Sequence, residues 1–200
     1  MDIQIEPASA NEAALAAKLT FMAYHRFSYD IFGPIGEAAA HEYFRRLWIH
    51  GSNRFGHCHS HIARLDGEPV GLMTSYPSRQ IKKLVGPTVR QLVHIGKGAF
   101  LFHFITNLSN FYYFASDLET LPDEYYVATL SVLPEYRNMG IGAELLHHAR
   151  ALTRELELRR CTLHVNAENE GGIRFYERNG FAKARPVEKK ATYYRMVYSV

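Results

Sequence analysis

Two stretches of this chain carry residue types and spacings suited to chemistry. The first is Leu130-Ser-Val-Leu-Pro-Glu-Tyr-Arg137-Asn-Met-Gly140-Ile-Gly142-Ala143. It reads as a buried strand, a short turn and an immediate helix start. A helix start leaves N–H groups unpaired and carries a partial positive charge, so it can hold a pyrophosphate. Gly140 and Gly142 lack a Cβ, which lets an anion approach the backbone and lets the turn take positive φ. Arg137 adds a charge-assisted donor. There is no GxxxxGK[ST], and GxG without a third glycine is not a dinucleotide fingerprint. The bland alternative is a tight turn with a helix cap. A strand before and an amphipathic helix after are the context that phosphate binding demands, and they favour the cradle.

The second stretch is Asn169-Glu-Gly-Gly-Ile-Arg-Phe-Tyr176-Glu-Arg-Asn-Gly180-Phe181. Asn169 is a good helix N-cap, and Gly180 followed by Phe181 reads as a C′ glycine with an apolar residue after it.

The elements that must position these stretches are legible in outline. Asp2–Glu6 alternates as a short strand. Ser9 with Glu12 forms a capping box opening a helix to about Phe27, and Glu37–Ile49 is a second helix ending at Gly51. Strands at about His57–Leu65 and Pro69–Tyr76 flank Asp66–Gly67, a strong hairpin signal. Tyr125–Leu133 is apolar on both faces and reads as central, Gly140–Leu158 is helical, and Cys161–Asn166 is a buried strand. A helix over Asn169–Asn179 and a strand over Tyr193–Val200 complete an order that calls for a parallel pair in the sheet. Arg79–Thr120 is an elaboration, with helical periods in Thr88–Ile95 and Ala99–Phe114.

Composition sets the class. The 200 residues are 47% hydrophobic and 22% charged, which suits one domain with a real core. A net charge of +3 is too small to argue for nucleic acid. Two cysteines, Cys58 and Cys161, read as small buried hydrophobes in a reducing, cytoplasmic compartment. No signal peptide is evident, and the greasiest window, Gly98–Leu108, is too short to span a bilayer, so no membrane partner is expected.

Arg137-Asn-Met-Gly-Ile-Gly-Ala resembles the acetyl-coenzyme A signature [QR]xxGx[GA] of the GCN5-related N-acetyltransferase (GNAT) superfamily. The Asn169–Phe181 stretch resembles that family's N…A…FYe..GF block. The resemblance implies an α/β fold: a mixed, mostly antiparallel twisted sheet with a splayed central parallel pair, flanked by helices. It implies acetyl-CoA as co-substrate, no metal, and a primary-amine acceptor. The backbones of Leu130 and Val132 would pair with the pantetheine arm, and the N–H groups of Arg137, Asn138, Met139, Gly140, Ile141, Gly142 and Ala143 would hold the pyrophosphate. Asn169 would contact the cofactor arm or only cap its helix.

Tyr176 is the expected proton donor to the departing sulfur, since a thiol near pKa ~8.5 can be protonated by a phenol near ~10. The usual mid-strand acid is missing, because Ala128 and Thr129 stand there. Glu124 and Tyr126 rank first as the base, ahead of Asp123 and Glu119. The sequence does not choose the amine, so a peptide or protein acetyltransferase stands as a rival to a small-molecule enzyme, and the missing mid-strand acid leaves a non-catalytic CoA sensor as another. His57, His59 and His61 would share one strand face, but no carboxylate or cysteine at ligand spacing joins them. His147 and His148 are adjacent on a helix and do not share a face. The aromatic Arg79–Thr120 block, with Phe100, Phe104 and Phe111 at helical spacing, is expected to cover the acceptor side; a homodimer interface is the competing reading.

Overall fold

The computed structural model describes residues 2–107, 120–184 and 192–200. β1 (Ile3–Pro7) leads into a 3-10 turn where the Ser9–Glu12 capping box is complete. α1 (Ala13–Phe32) runs past its expected end near Phe27 and stops at Gly33, whose φ of 88° only glycine adopts cheaply. α2 (Glu37–His50) ends at Gly51. β2 (Ser60–Leu65) and β3 (Glu68–Pro77) form the expected hairpin, with Asp66 at φ 49° and Gly67 at φ 90°. α3 (Ile81–Thr106), β4 (Glu124–Val132), α4 (Ile141–Glu155) and β5 (Arg160–Asn166) follow. α5 (Glu170–Arg178), the short β6 (Ala182–Lys183) and β7 (Tyr193–Ser199) complete the chain.

The strands form one sheet in the order β1-β2-β3-β4-β5-β7-β6, antiparallel throughout except for β4 beside β5. A parallel pair needs a crossover, and α4 supplies it. One sheet face packs Val127, Leu163 and Met196 against Ile141, Leu145 and Leu146 of α4 and Ile173 of α5. The other face carries α1, α2 and α3, with Leu19, Trp48, Ile62 and Leu72 at its centre.

The described part of the block expected at 79–120, residues 79–107, is helical and belongs to that second layer. Leu92 and Phe100 of α3 share a core with Phe32, Phe44 and Leu47 of α1 and α2. Gly96-Lys97-Gly98 interrupts α3, with Lys97 at φ 50°, so the two predicted helical periods are two limbs of one element. Phe111, the rest of the predicted 99–114 helix beyond Asn107, and Glu119 lie outside the described residues.

Three expectations need correction. β2 begins at Ser60, because His57–His59 form a 3-10 turn, and Cys58 is therefore exposed rather than buried. Cys161 is buried, and burial pushes its thiol up to about 12. The helix expected over Gly140–Leu158 ends at Glu155. No helix among the described residues is long and apolar enough to cross a membrane.

Candidate functional site: a splayed strand pair with an anion cradle

β4 pairs with β5 only from Glu124 to Val127. Its register with β3 slips at the same place: Thr74 lies opposite Thr129, but Ser75 lies opposite Val127, leaving Ala128 as the extra residue of a bulge. From Ala128 to Val132, β4 keeps β3 on one edge and pairs with no strand among the described residues on the other. Leu130 and Val132 lie on this open stretch, where an extended amide chain can add as a strand does. The Tyr24 hydroxyl donates to the Ala128 carbonyl at 3.0 Å, so α1 pins the bulge.

The strand ends in the cradle. After the 3-10 turn Pro134–Tyr136, Asn138 (φ 64°) and Gly140 (φ 86°) both take left-handed backbone. Such a turn fans successive N–H groups outward, and Ile141 and Gly142 add the unpaired N–H groups of a helix start. Only the conformation demands glycine at 140, where an added Cβ would meet nothing. Gly142 has a second reason: a Cβ there would stand 3.0 Å from the Phe175 ring, so its absence lets α5 close on α4. The Ile141 side chain is core while its amide opens the helix. Arg137 is exposed and donates from Nε to the Val132 carbonyl at 3.3 Å; Asn138 and Met139 are exposed beside it. The Arg137 and Ala143 N–H groups are taken by the Pro134 and Gly140 carbonyls, at 3.2 and 2.9 Å, so the donors suited to an anion lie between them, on Asn138 to Gly142.

Across the cleft, Asn169 caps α5, its Oδ1 accepting from the Gly172 N–H at 2.9 Å. Tyr176 is half-buried, with its ring against Phe175 at 5.3 Å and Phe181 at 6.2 Å. Desolvation pushes its phenol up to about 12, so it stays protonated.

At the far end the residues expected to act as base are arranged differently from expectation. Glu124 is fully buried. Its Oε1 takes Arg195 and, at 3.4 Å, Arg160, while its Oε2 accepts the Leu121 N–H at 3.0 Å. Both oxygens are engaged at the start of the parallel pair, so the carboxylate staples β4, β5 and β7 and is not held out to a substrate. Tyr126 is nearly buried, and its hydroxyl lies 3.3 Å from His164 Nδ1. Sequence reasoning missed His164. The signal was available, because a parallel pair with alternating faces puts residues of both strands on one side. Tyr126 also packs on Tyr76 at 6.1 Å, and Arg54 Nε donates to the Tyr76 hydroxyl at 3.4 Å.

The three histidines at 57, 59 and 61 do not converge. His57 Nδ1 meets the Trp48 carbonyl at 2.7 Å, His59 packs on Tyr76 at 5.9 Å, and His61 packs on His148 at 4.4 Å. Among the described residues no group of three or more metal-ligating side chains forms.

Comparison with known proteins agrees with this geometry. The sequence model described as "Acetyltransferase (GNAT) family" matches residues 23–181. A zebrafish (Danio rerio) protein named "N-alpha-acetyltransferase 50" is 34% identical over 73 residues, 36% of this chain and 42% of that one. The "5-NmdU N-acetyltransferase" of Pseudomonas phage PaMx11 is 42% identical over 55 residues, 28% of this chain and 37% of that one. The chain thus matches less than half the length of these curated relatives. Among solved structures, one titled "The crystal structure of acetyltransferase" superposes with a TM-score of 0.74 at 21% identity, covering 98% of this chain and 99% of that one. The PaiA N-acetyltransferase of Thermoplasma acidophilum, in complex with coenzyme A, superposes with a TM-score of 0.57 at 15% identity over the whole of both chains. These likenesses carry the fold, and the sequence match carries the family: this chain belongs to the GNAT acetyltransferase family.

Proposed function

We propose that the protein is an acetyl-CoA-dependent N-acetyltransferase that acetylates a primary amine of a small molecule by direct attack in a ternary complex. The observation that carries this reading is the open edge of β4, with an anion cradle at one end and the Tyr126–His164 pair towards the other. When bound, acetyl-CoA supplies a thioester carbonyl to be attacked and a thiolate to be expelled. The N–H groups of Asn138 to Gly142 would hold its pyrophosphate, with the Arg137 side chain beside them, and Leu130 and Val132 would pair with its amide arm like an added strand. Asn169 stands at the opposite lip of the cleft.

An alkylamine with a pKa near ~10.4 is an ammonium at neutral pH and must lose a proton before it attacks. Tyr126 and His164 take that proton as a pair, the phenol passing it to the imidazole. Tyr176, kept protonated by burial, donates to the departing sulfur. Glu124 is a positioning residue that holds β4 against β5 where the cleft begins. Aromatic walls suit a small acceptor: Tyr24 stacks on Phe27 at 5.9 Å, and Phe27 meets Tyr193 at 6.2 Å.

A second reading, acetylation of a peptide N-terminus, is favoured by the relative named N-alpha-acetyltransferase 50. Thiol release from acetyl-CoA, followed over a panel of polyamines, amino sugars and short peptides, separates them. Turnover with the small amines is expected. Turnover with peptides alone would select the second reading. Coenzyme A binding without any turnover would make the protein a sensor.

A further inference from the structure

We propose that α3 docks this protein on the surface of an anionic lipid bilayer. One side of the helix is core: Ile81, Leu84, Thr88, Leu92 and Phe100 are buried. The other side is a single exposed stripe with two halves. Arg79, just before the helix, leads into Lys82, Lys83, Arg90 and Lys97, all exposed. None of these five forms an ion pair with a described residue. No Asp or Glu occurs anywhere from Pro69 to Ser116, so the segment itself offers no counter-charge. Beyond Lys97 the stripe turns apolar: Leu101 is 43% exposed, Phe102 72% and Ile105 59%.

The basic half, from Lys82 to the break at Lys97, is about 22 Å long at ~1.5 Å per residue, and the apolar half lies on the limb beyond that break. Single exposed apolar residues are ordinary, but three within two turns mark a contact surface. Cations beside exposed Phe, Leu and Ile are what the headgroup boundary of an anionic membrane takes up: the cations meet the headgroups and the apolar side chains enter the acyl boundary. A nucleic acid would use the cations but leave Phe102 and Ile105 in water. A second copy of the chain would bring the same five cations against these. Neither the net charge nor the length of the apolar runs marks such a stripe, because it is local and lies along the surface.

The test is co-sedimentation of the full chain with vesicles of phosphatidylcholine alone or with one third phosphatidylserine, at low and high salt. Pelleting with the anionic vesicles only, weakening at high salt, is expected. The variant K82E/K83E/R90E should lose at least tenfold in vesicle affinity, and F102S/I105S should lose a comparable factor. Both sit on the exposed side, and retention of the coenzyme A thermal shift checks that they fold. Three results would each overturn the proposal: no pelleting of wild type with anionic vesicles, pelleting indifferent to F102S/I105S, or a dimer in sedimentation velocity that F102S/I105S converts to monomer. Binding of a single-stranded RNA with full affinity by F102S/I105S, in place of vesicle binding, would reassign the basic half to nucleic acid.

Discussion

The two ends of the cleft are built by opposite strategies. The cradle end offers backbone: two left-handed residues, a helix start and the open edge of one strand, all within Ala128 to Ala143. The proposed acceptor end would recognise through side chains drawn from distant parts of the chain, with Tyr24 on α1, Tyr126 on β4, His164 on β5 and Tyr193 on β7. Backbone recognition tolerates almost any side chain except where conformation or closeness demands glycine. Side-chain recognition depends on the register of strands that are not neighbours in sequence.

The harshest way to break that comparison is at Gly142. Gly142→Asp sets a carboxylate beside the bound pyrophosphate and drives a Cβ towards the Phe175 ring, 3.0 Å away. In wild type, coenzyme A should stabilise the fold by mass action. In the variant that thermal shift should vanish, a loss of at least about a hundredfold in affinity, since a like charge meets the ligand in a partly desolvated site. A full shift in a folded Gly142→Asp protein would move the cofactor off this turn.

At the other end the expected loss is in turnover. Tyr126→Phe keeps the ring packed on Tyr76 and removes only the hydroxyl that faces His164. Its kcat should fall by roughly a hundredfold, with coenzyme A affinity unchanged. His164→Gln should fall similarly, and the double variant little further, because the two act as one unit. Glu124→Gln sharpens the contrast. It leaves Arg160 and Arg195 without their carboxylate and should cost about 3 kcal/mol of stability in urea unfolding, yet leave the shape of the pH–rate profile intact. A Glu124→Gln enzyme that lost the basic limb of that profile would restore Glu124 as the base.

This difference explains what could be read from sequence. The strand, turn and helix of the cradle are contiguous, so Leu130 to Ala143 announced their structure. The Asp66–Gly67 hairpin and the Ser9–Glu12 capping box were legible for the same reason: each is decided within a few residues. His57 to His59 were misread because alternation imitates a strand, while Gly56 and the side chain of Ser60, which donates to the Gly56 carbonyl at 3.0 Å, turn the chain instead. Glu124 was misjudged because its partners lie 36 and 71 residues away, at Arg160 and Arg195. Nothing local marks a carboxylate as half of a buried ion pair.

Tyr176 stands between the two strategies, a side chain on the cradle side of the cleft. Tyr176→Phe preserves the packing on Phe175 and Phe181 and removes the hydroxyl proposed as proton donor. Cofactor binding should survive and kcat should fall by about tenfold, less than at Tyr126, because a thiolate of pKa ~8.5 is a tolerable leaving group without help. Wild-type turnover would reduce Tyr176 to packing.

The smallest effect expected is on pH. His61 of β2 and His148 of α4 stack at 4.4 Å, and His61 Nδ1 and His148 Nε2 are both buried without a hydrogen-bond partner. Burial, with the His148 ring beside it, pushes His61 down to about 4. Burial also lowers His148, with Glu155 opposing and His147 assisting. The folded pair is therefore neutral, while an unfolded histidine takes up its proton near pH ~6.5. Acidification from about pH 6.5 towards 4 should thus favour the unfolded chain progressively, and the contribution is full above that window. Discounted for partial exposure, the pair is worth about 1–2 kcal/mol, or roughly 2–8 °C in Tm for a chain of this size. His61→Gln should be less sensitive than wild type between pH 7.5 and pH 5 in thermal unfolding. Because the pair ties β2 to the helix that opens the cradle, the acid loss should also shrink the coenzyme A shift in wild type more than in the variant. Equal pH slopes for the two proteins would leave the acid sensitivity to some other group and the cradle end independent of it.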